Sequence, residues 1–189
     1  MTYLLPYRAL LRGRAHPVRP ATRDEEGLFI LERDDERVSF DEPADLLSLV
    51  AHGEEVTADF DTFALVISRG SNGRPLYLAR AQGVEGAQSP DDELACWTLL
   101  DALGDARAPR ACFFCRWSDV EPSSGWGNLG CAVAHADAYD AVATSSDARR
   151  RKWGHTAMLS WVMEWHSCER FEVRPYGYGY RGRPMTVKR

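Results

Sequence analysis

The sequence predicts an α+β fold: a small mixed or antiparallel sheet with two to four helices and a C-terminal zinc-stapled loop region. Three observations point there. Short β-rich runs recur between turn-forming residues in the first half. One segment carries complete helix punctuation. Cys112-x-x-Cys115 is followed by Cys131 and Cys168, a spacing that suits a zinc ion better than a disulfide. With 189 residues the chain is long enough for a real core. It reads as a single domain over 1–189, with an α+β body at 1–108 and a zinc-stapled part at 109–189.

The first twenty residues mix Arg8, Arg12, Arg14 and Arg19 with Leu4, Leu5, Leu10 and Leu11, as a strand or an arm laid on the body would. Leu28–Leu31 and Val38–Phe40 flank Asp34-Asp35-Glu36 and predict a hairpin. Pro43 and Gly53 bracket a short helix over 44–51. Phe63–Ile67, a continuous apolar run, predicts a central strand, and Leu76–Ala79 returns from the Ser71-Asn72-Gly73 turn, so 62–80 form a hairpin. A helix follows, with Ser89 as N-cap, Pro90 first, acidic residues in the first turn and Gly104 as the stop. Leu94, Cys96, Trp97, Leu99, Leu100 and Leu103 line its apolar face, which makes Cys96 a small buried hydrophobe.

Residues 116–130 read as a loop rich in Ser, Gly and Pro. The Ala-rich stretch 132–148 reads as a short helix, ahead of the basic run Arg149–Lys152. Met158, Trp161, Val162 and Trp165 recur at helical spacing and predict an amphipathic helix over 155–166. The tail, with Pro175, Pro184 and alternating Tyr and Gly from Tyr176 to Tyr180, reads as extended.

The net charge of −5 is unevenly spread: +4 over 1–20, −16 over 21–147 and +7 over 148–189. No apolar run approaches the roughly 20 residues that span a bilayer, and the start lacks the pattern of a secretory leader, so a cytoplasmic protein with reduced thiols is expected.

Three thiolates at Cys112, Cys115 and Cys131 would fill most of a tetrahedral zinc shell. Cys168 offers an all-cysteine site, and His135, four residues after Cys131, offers an imidazole instead. A closed site of four protein ligands is structural, because no coordination position is left for a reacting water. His52-Gly53-Glu54 ahead of the cysteine pair has the outline of a zinc deaminase site, but the proline is not adjacent to Cys112 and Cys131 and Cys168 are left without a role. His166-Ser167-Cys168 is too close-set to align a thiol with its base. Arg149–Lys152 beside Trp153, and Arg174, Arg181 and Arg183 among tyrosines, have the chemistry to contact nucleic acid, against which the acidic centre weighs.

Cys112-x-x-Cys115-x-x-Ser118-Asp119-x-x-Pro122, then Gly130-Cys131, then Cys168-x-x-Phe171-x-x-Arg174-Pro175-x-Gly177-x-Gly179-Tyr180-Arg181-Gly182 resembles a group of uncharacterised bacterial proteins, over about the C-terminal 40% of the chain. The resemblance implies a zinc site and favours Cys168 over His135 as its fourth ligand; it implies no activity. The expected function is therefore a non-enzymatic, zinc-stapled protein-binding domain, most concretely an immunity protein that captures a basic toxin. Asp34, Asp35, Glu36, Glu54, Glu55, Asp59 and Asp61 are candidate contacts. The alternatives are a nucleic-acid-associated zinc regulator and a zinc-dependent deaminase or hydrolase.

Overall fold

The computed structural model describes residues 7–22, 24–26, 29–33, 36–119, 128–136, 160–163 and 165–174. The chain divides into two compact units, Leu4–Pro109 and Arg110–Arg189 with Met1–Tyr3.

The first unit is built on strands β1 (Tyr7–Leu11), β2 (Arg14–Pro20), β3 (Phe29–Arg33), β4 (Glu36–Phe40), β5 (Val56–Asp59), β6 (Ala64–Arg69), β7 (Pro75–Ala81) and β8 (Val84–Glu85). They form one antiparallel sheet in the order β4-β3-β2-β1-β5-β6-β7-β8, larger than the small sheet expected. Two meanders are thus joined along β1 and β5, where Ala9 lies opposite Ala58 and Leu11 opposite Val56. All four are buried, and the small pair lets the two backbones pack one core without a bulge of volume at the seam.

The period-two alternation sorts the faces. Tyr7, Ala9 and Leu11 point inward while Arg8 points out. The inward row continues across the sheet as Ala58, Leu65 and Ala79, and the next as Val56, Ile67 and Tyr77. Tyr7 meets Phe29 and Phe60 at ring-centroid distances of 5.7 and 5.0 Å, Phe29 meets Phe40 at 5.7 Å and Phe60 meets Phe63 at 5.0 Å, an aromatic chain spanning both meanders.

The segment linking the meanders is a 3-10 helix, Pro43–Leu49, where an α-helix over 44–51 was expected. It buries Leu46 and Leu47 and packs against β4, β5 and β6. The Oδ2 of Asp45 accepts the amides of Asp41 (3.0 Å) and Glu42 (3.1 Å), which starts the segment. Its far end is tied by Arg69, whose Nη2 donates to the Leu47 carbonyl at 2.5 Å.

Helix α1 (Asp92–Leu103) packs across β7 and β8. Its cap is Asp91, whose carboxylate accepts the Leu94 amide at 2.9 Å, rather than the expected Ser89. Ser89 is instead bridged to Tyr77 by two backbone hydrogen bonds, and its hydroxyl accepts the Asp91 amide at 3.0 Å. The approach of β8 to α1 requires glycine at 86, where a Cβ would stand 2.6 Å from the Leu99 nitrogen. Cys96 is fully buried on the helix face, as its spacing implies.

In the second unit, β9 (Ser118–Asp119), β10 (Asn128–Cys131) and β11 (Ser160–Met163) form an antiparallel sheet in the order β11-β10-β9. This corrects two expectations. The loop over 116–130 carries β9 and the start of β10, and residues 160–163 of the expected helix are a strand paired with β10. Trp, Val and Met suit a strand as well as a helix face, so pairing with an available neighbour overrides the 3.6-residue spacing. The rest of the expected helices at 132–148 and 155–166 falls outside the described residues, apart from Ala132, a 3-10 turn at Val133–His135, Ala136 and the stretch Trp165–His166. The tail beyond residue 174 and the run 149–152 also fall outside them.

Between β2 and β3, Arg19 grips Glu25 with both terminal nitrogens, at 2.7 and 2.6 Å, while its Nε holds Glu32 at 3.0 Å. The Thr22 amide and hydroxyl also donate to Glu25. The Arg19 hydrogen bond, followed by the Thr22 amide, lowers the Glu25 carboxyl from 4.5 to about 2. A carboxylate depressed in the folded state stabilises it above its ordinary range and stops doing so as pH falls through the lowered value. Melts recorded from pH 6 to pH 2 should show the wild type losing stability between about pH 4.5 and 2 more steeply than Arg19→Gln.

Candidate metal centre

Cys112-Phe113-Phe114 form a 3-10 turn, and Cys115 follows with its amide donating to the Cys112 carbonyl at 3.1 Å, so both thiols issue from one tight knuckle. β10 brings Cys131 beside it, because Cys131 lies opposite Ser118 in the β9 ladder and the Ala132 amide donates to the Trp117 carbonyl at 2.7 Å. A third segment closes over the knuckle. The Cys112 amide donates to the His166 carbonyl, Arg116 to that of Glu172 and Arg174 to that of Phe114. Arg110 holds the carbonyls of Cys168 (3.2 Å) and Glu169 (3.4 Å), which fixes the segment carrying the fourth cysteine.

Cys112, Cys115 and Cys131 are buried, at 2%, 3% and 8% exposure, and Cys168 is half-buried. Burial raises the Cys112 thiol pKa most, and the charges of Cys131, Cys115 and Cys168 raise it further. Cys115 and Cys131 are raised for the same first reason, and both feel Cys168. The four sulfurs therefore share one low-dielectric neighbourhood, where thiolates repel unless a cation joins them. Acting against the shift, the amides of Glu172 and Trp117 are aimed at the Cys115 sulfur, and that of Val133 at the Cys131 sulfur. Such donors favour the thiolate, the form that ligates a metal. As placed, no three His, Cys, Asp or Glu side chains among the described residues are grouped tightly enough to clasp one ion. His135 sits exposed on the turn after β10.

Two residues with no role in the spacing argument lock this arrangement. Ser118, wholly buried, shares its hydroxyl proton between the carbonyls of Cys112 and Cys115, the latter at 2.9 Å. Arg174, 3% exposed, donates from Nη2 to the Ser118 carbonyl (2.5 Å) and hydroxyl (3.0 Å). Its charge also lowers the thiol pKa of Cys112 and Cys115. The burial of Arg174 removes it from the basic, tyrosine-flanked surface that the tail sequence suggested. Around the knuckle, Cys115, Trp117 and Ala132 form a small core, with Arg116 stacked over the Trp117 ring at 4.5 Å.

Glu54, the carboxylate of the His-x-Glu pattern, lies in the other unit. Arg12 donates to it at 2.8 Å and the Ala51 amide at 2.8 Å, and the Arg12 bond above all holds it below the usual carboxylate range.

Ser118→Ala should destabilise the second unit by about 1–3 kcal/mol, because it strips a partner from a buried guanidinium and two buried carbonyls. Faster hydrogen exchange at the Cys115 and Arg174 amides, with unchanged exchange at Val66 and Leu78 in the first unit, would register it.

No family model, curated protein or solved structure matches this chain, so no relative lends it an activity, a ligand or a partner.

Proposed function

We propose that the chain is a non-enzymatic protein-binding domain whose second unit is clamped by a structural zinc ion held by Cys112, Cys115, Cys131 and Cys168, and that it serves as a bacterial immunity protein against a basic toxin. The observation that carries the zinc reading is the shared, buried neighbourhood of the four thiols, two of them already receiving backbone N–H donors. Zinc supplies the positive charge that this neighbourhood lacks, and four protein ligands leave it no open position, which makes it a clamp and not a Lewis acid. Because metal binding and folding are coupled, loading would draw the thiols into the tetrahedron.

The protein-binding reading rests on the −16 carried by residues 21–147, which would steer a cationic partner. The deaminase alternative needs Glu54 as a proton shuttle, whereas its carboxylate is engaged by Arg12. The nucleic-acid alternative loses Arg174 to the interior.

Elemental analysis should give about one zinc per chain, and Cys112→Ser or a strong chelator should unfold the second unit. Zinc affinity should fall as pH is lowered, since the metal must displace protons from thiols whose pKa burial has raised. Fully folded, metal-free protein recovered at neutral pH would falsify the clamp.

For the immunity role, the gene should lie beside one for a secreted toxin, and co-expression should relieve that toxin's growth arrest. Calorimetry should then show a complex with the toxin product, with Kd in the nanomolar range or tighter. A chain that ignores that product and instead binds DNA or RNA with steep salt dependence would be a regulator.

A further inference from the structure

The acidic residues that stand out in the sequence are largely neutralised within the first unit. Asp59 and Asp61 share Arg8, at 2.9 and 3.1 Å, Glu54 holds Arg12 at 2.8 Å, and Glu36 holds Arg33 at 2.8 Å. A different group of carboxylates gathers where the 3-10 segment meets the start of α1. Tyr77, on the inward row of β7, is bridged to Ser89, and Ser89 leads directly into Asp91 and Asp92. From the opposite side, the Arg69–Leu47 bond holds the 3-10 segment to the end of β6, next to β7, and Asp45 fixes Asp41 and Glu42 at its head.

Tyr77 sits among these groups at 8% exposure, and its hydroxyl has no hydrogen-bond partner among the described residues. Burial raises its pKa first, followed by the charges of Asp92, Glu42, Asp45 and Asp91, so the hydroxyl is aimed into the cluster. Burial also raises Glu42, with Asp45, Asp92 and Asp41 adding to it, and no Lys or Arg is among the groups that act on either residue. Helix capping accounts for Asp45 and Asp91. It accounts for neither Glu42 nor the buried, unpartnered phenol.

We infer that this cluster, Glu42 and Asp92 around the Tyr77 hydroxyl, is the docking site for an arginine or lysine side chain of a basic protein partner. The carboxylates accept from the cation, and the neutral phenol supplies one more acceptor at the floor. A divalent metal fits less well, since no three acidic or His groups among the described residues converge on one point, whereas a guanidinium presents five donors over a wider fork. This names the contact site within the protein-binding reading and rests on it only for the identity of the natural partner.

The test titrates the zinc-loaded full chain with an acetylated, amidated tetra-arginine peptide, followed by amide chemical shifts. Saturable shifts are expected around Glu42, Tyr77 and Asp92. Binding should weaken about tenfold or more in the Glu42→Gln/Asp92→Asn double variant, as expected for lost hydrogen bonds to a charged group. Tyr77→Phe, which keeps the ring, should weaken binding less, and Asp59→Asn, which removes an already paired carboxylate, should leave it unchanged. Retained folding of the double variant is read from its thermal melt, which should rise because Glu42 no longer opposes its neighbours. Peptide binding that is insensitive to the double substitution, or equally weakened by Asp59→Asn, overturns the site, as does displacement of the peptide by millimolar calcium with shifts at the same residues. Peptide binding as expected without any toxin partner would leave the site standing and remove the immunity reading alone.

Discussion

The pairing of β1 with β5 is the constraint on which the first unit depends. Without it the chain would make two separate four-stranded meanders, each with one apolar face and no opposing layer. Joined, they present one continuous inward surface, and Ala9 facing Ala58 keeps the seam narrow enough for the larger residues on either side to meet. The aromatic chain from Phe40 through Phe29, Tyr7 and Phe60 to Phe63 can form only because the seam lies between its two halves. The 3-10 segment then crosses from the last strand of one meander to the first of the other, burying Leu46 and Leu47 on the way. In a flat sheet β4 and β7, six strand spacings apart, would be separated by about 29 Å. Glu42, just past β4, nevertheless acts on Tyr77 of β7, so the surface curls around that crossing.

The second unit is held by different means. Its described sheet has three short strands, too little to bury a sizeable core, and its order comes from backbone carbonyls and amides tied between three distant segments. Ser118 and Arg174 stand at the centre of those ties. A buried guanidinium needs several acceptors, and here the acceptors are the same backbone that shapes the knuckle. The charge that satisfies Ser118 therefore also lies close to the thiols, where it partly offsets their repulsion. Structure and electrostatics are coupled at this one residue.

The legible parts of the chain are those in which local chemistry and tertiary context agree. β6 is a continuous apolar run, its hairpin turn contains Gly73 at φ +78°, and α1 carries its own cap and stop. β2 is hidden because Pro17 and Pro20 argue against a central strand. Pro17 is tolerated because it lies one residue outside the stretch paired with β3. β11 is hidden for the opposite reason, since its residues also satisfy a helical period. The four cysteines are legible from spacing alone, whereas the Ser118–Arg174 lock joins residues 56 positions apart and exists only once β9 and the closing segment are in place.

Charge was the least legible property. A run such as Asp59-Phe60-Asp61 looks like free negative surface, but antiparallel register sets Arg8 directly opposite Asp59 and spends that charge internally. Residues that look committed to local duties, at the head of the 3-10 segment and the start of α1, are brought together around a buried phenol by the curl of the sheet. Net charge therefore says little about where a cationic partner would be held. A carboxylate already matched by a cross-strand arginine gains little from a second cation, because its field is largely cancelled and its acceptor sites are filled. A carboxylate held near like charges, partly out of water, gains more from the same cation, since binding relieves a repulsion that folding imposed. Affinity for a basic partner should therefore concentrate at Glu42 and Asp92 and not follow the density of acidic residues along the chain.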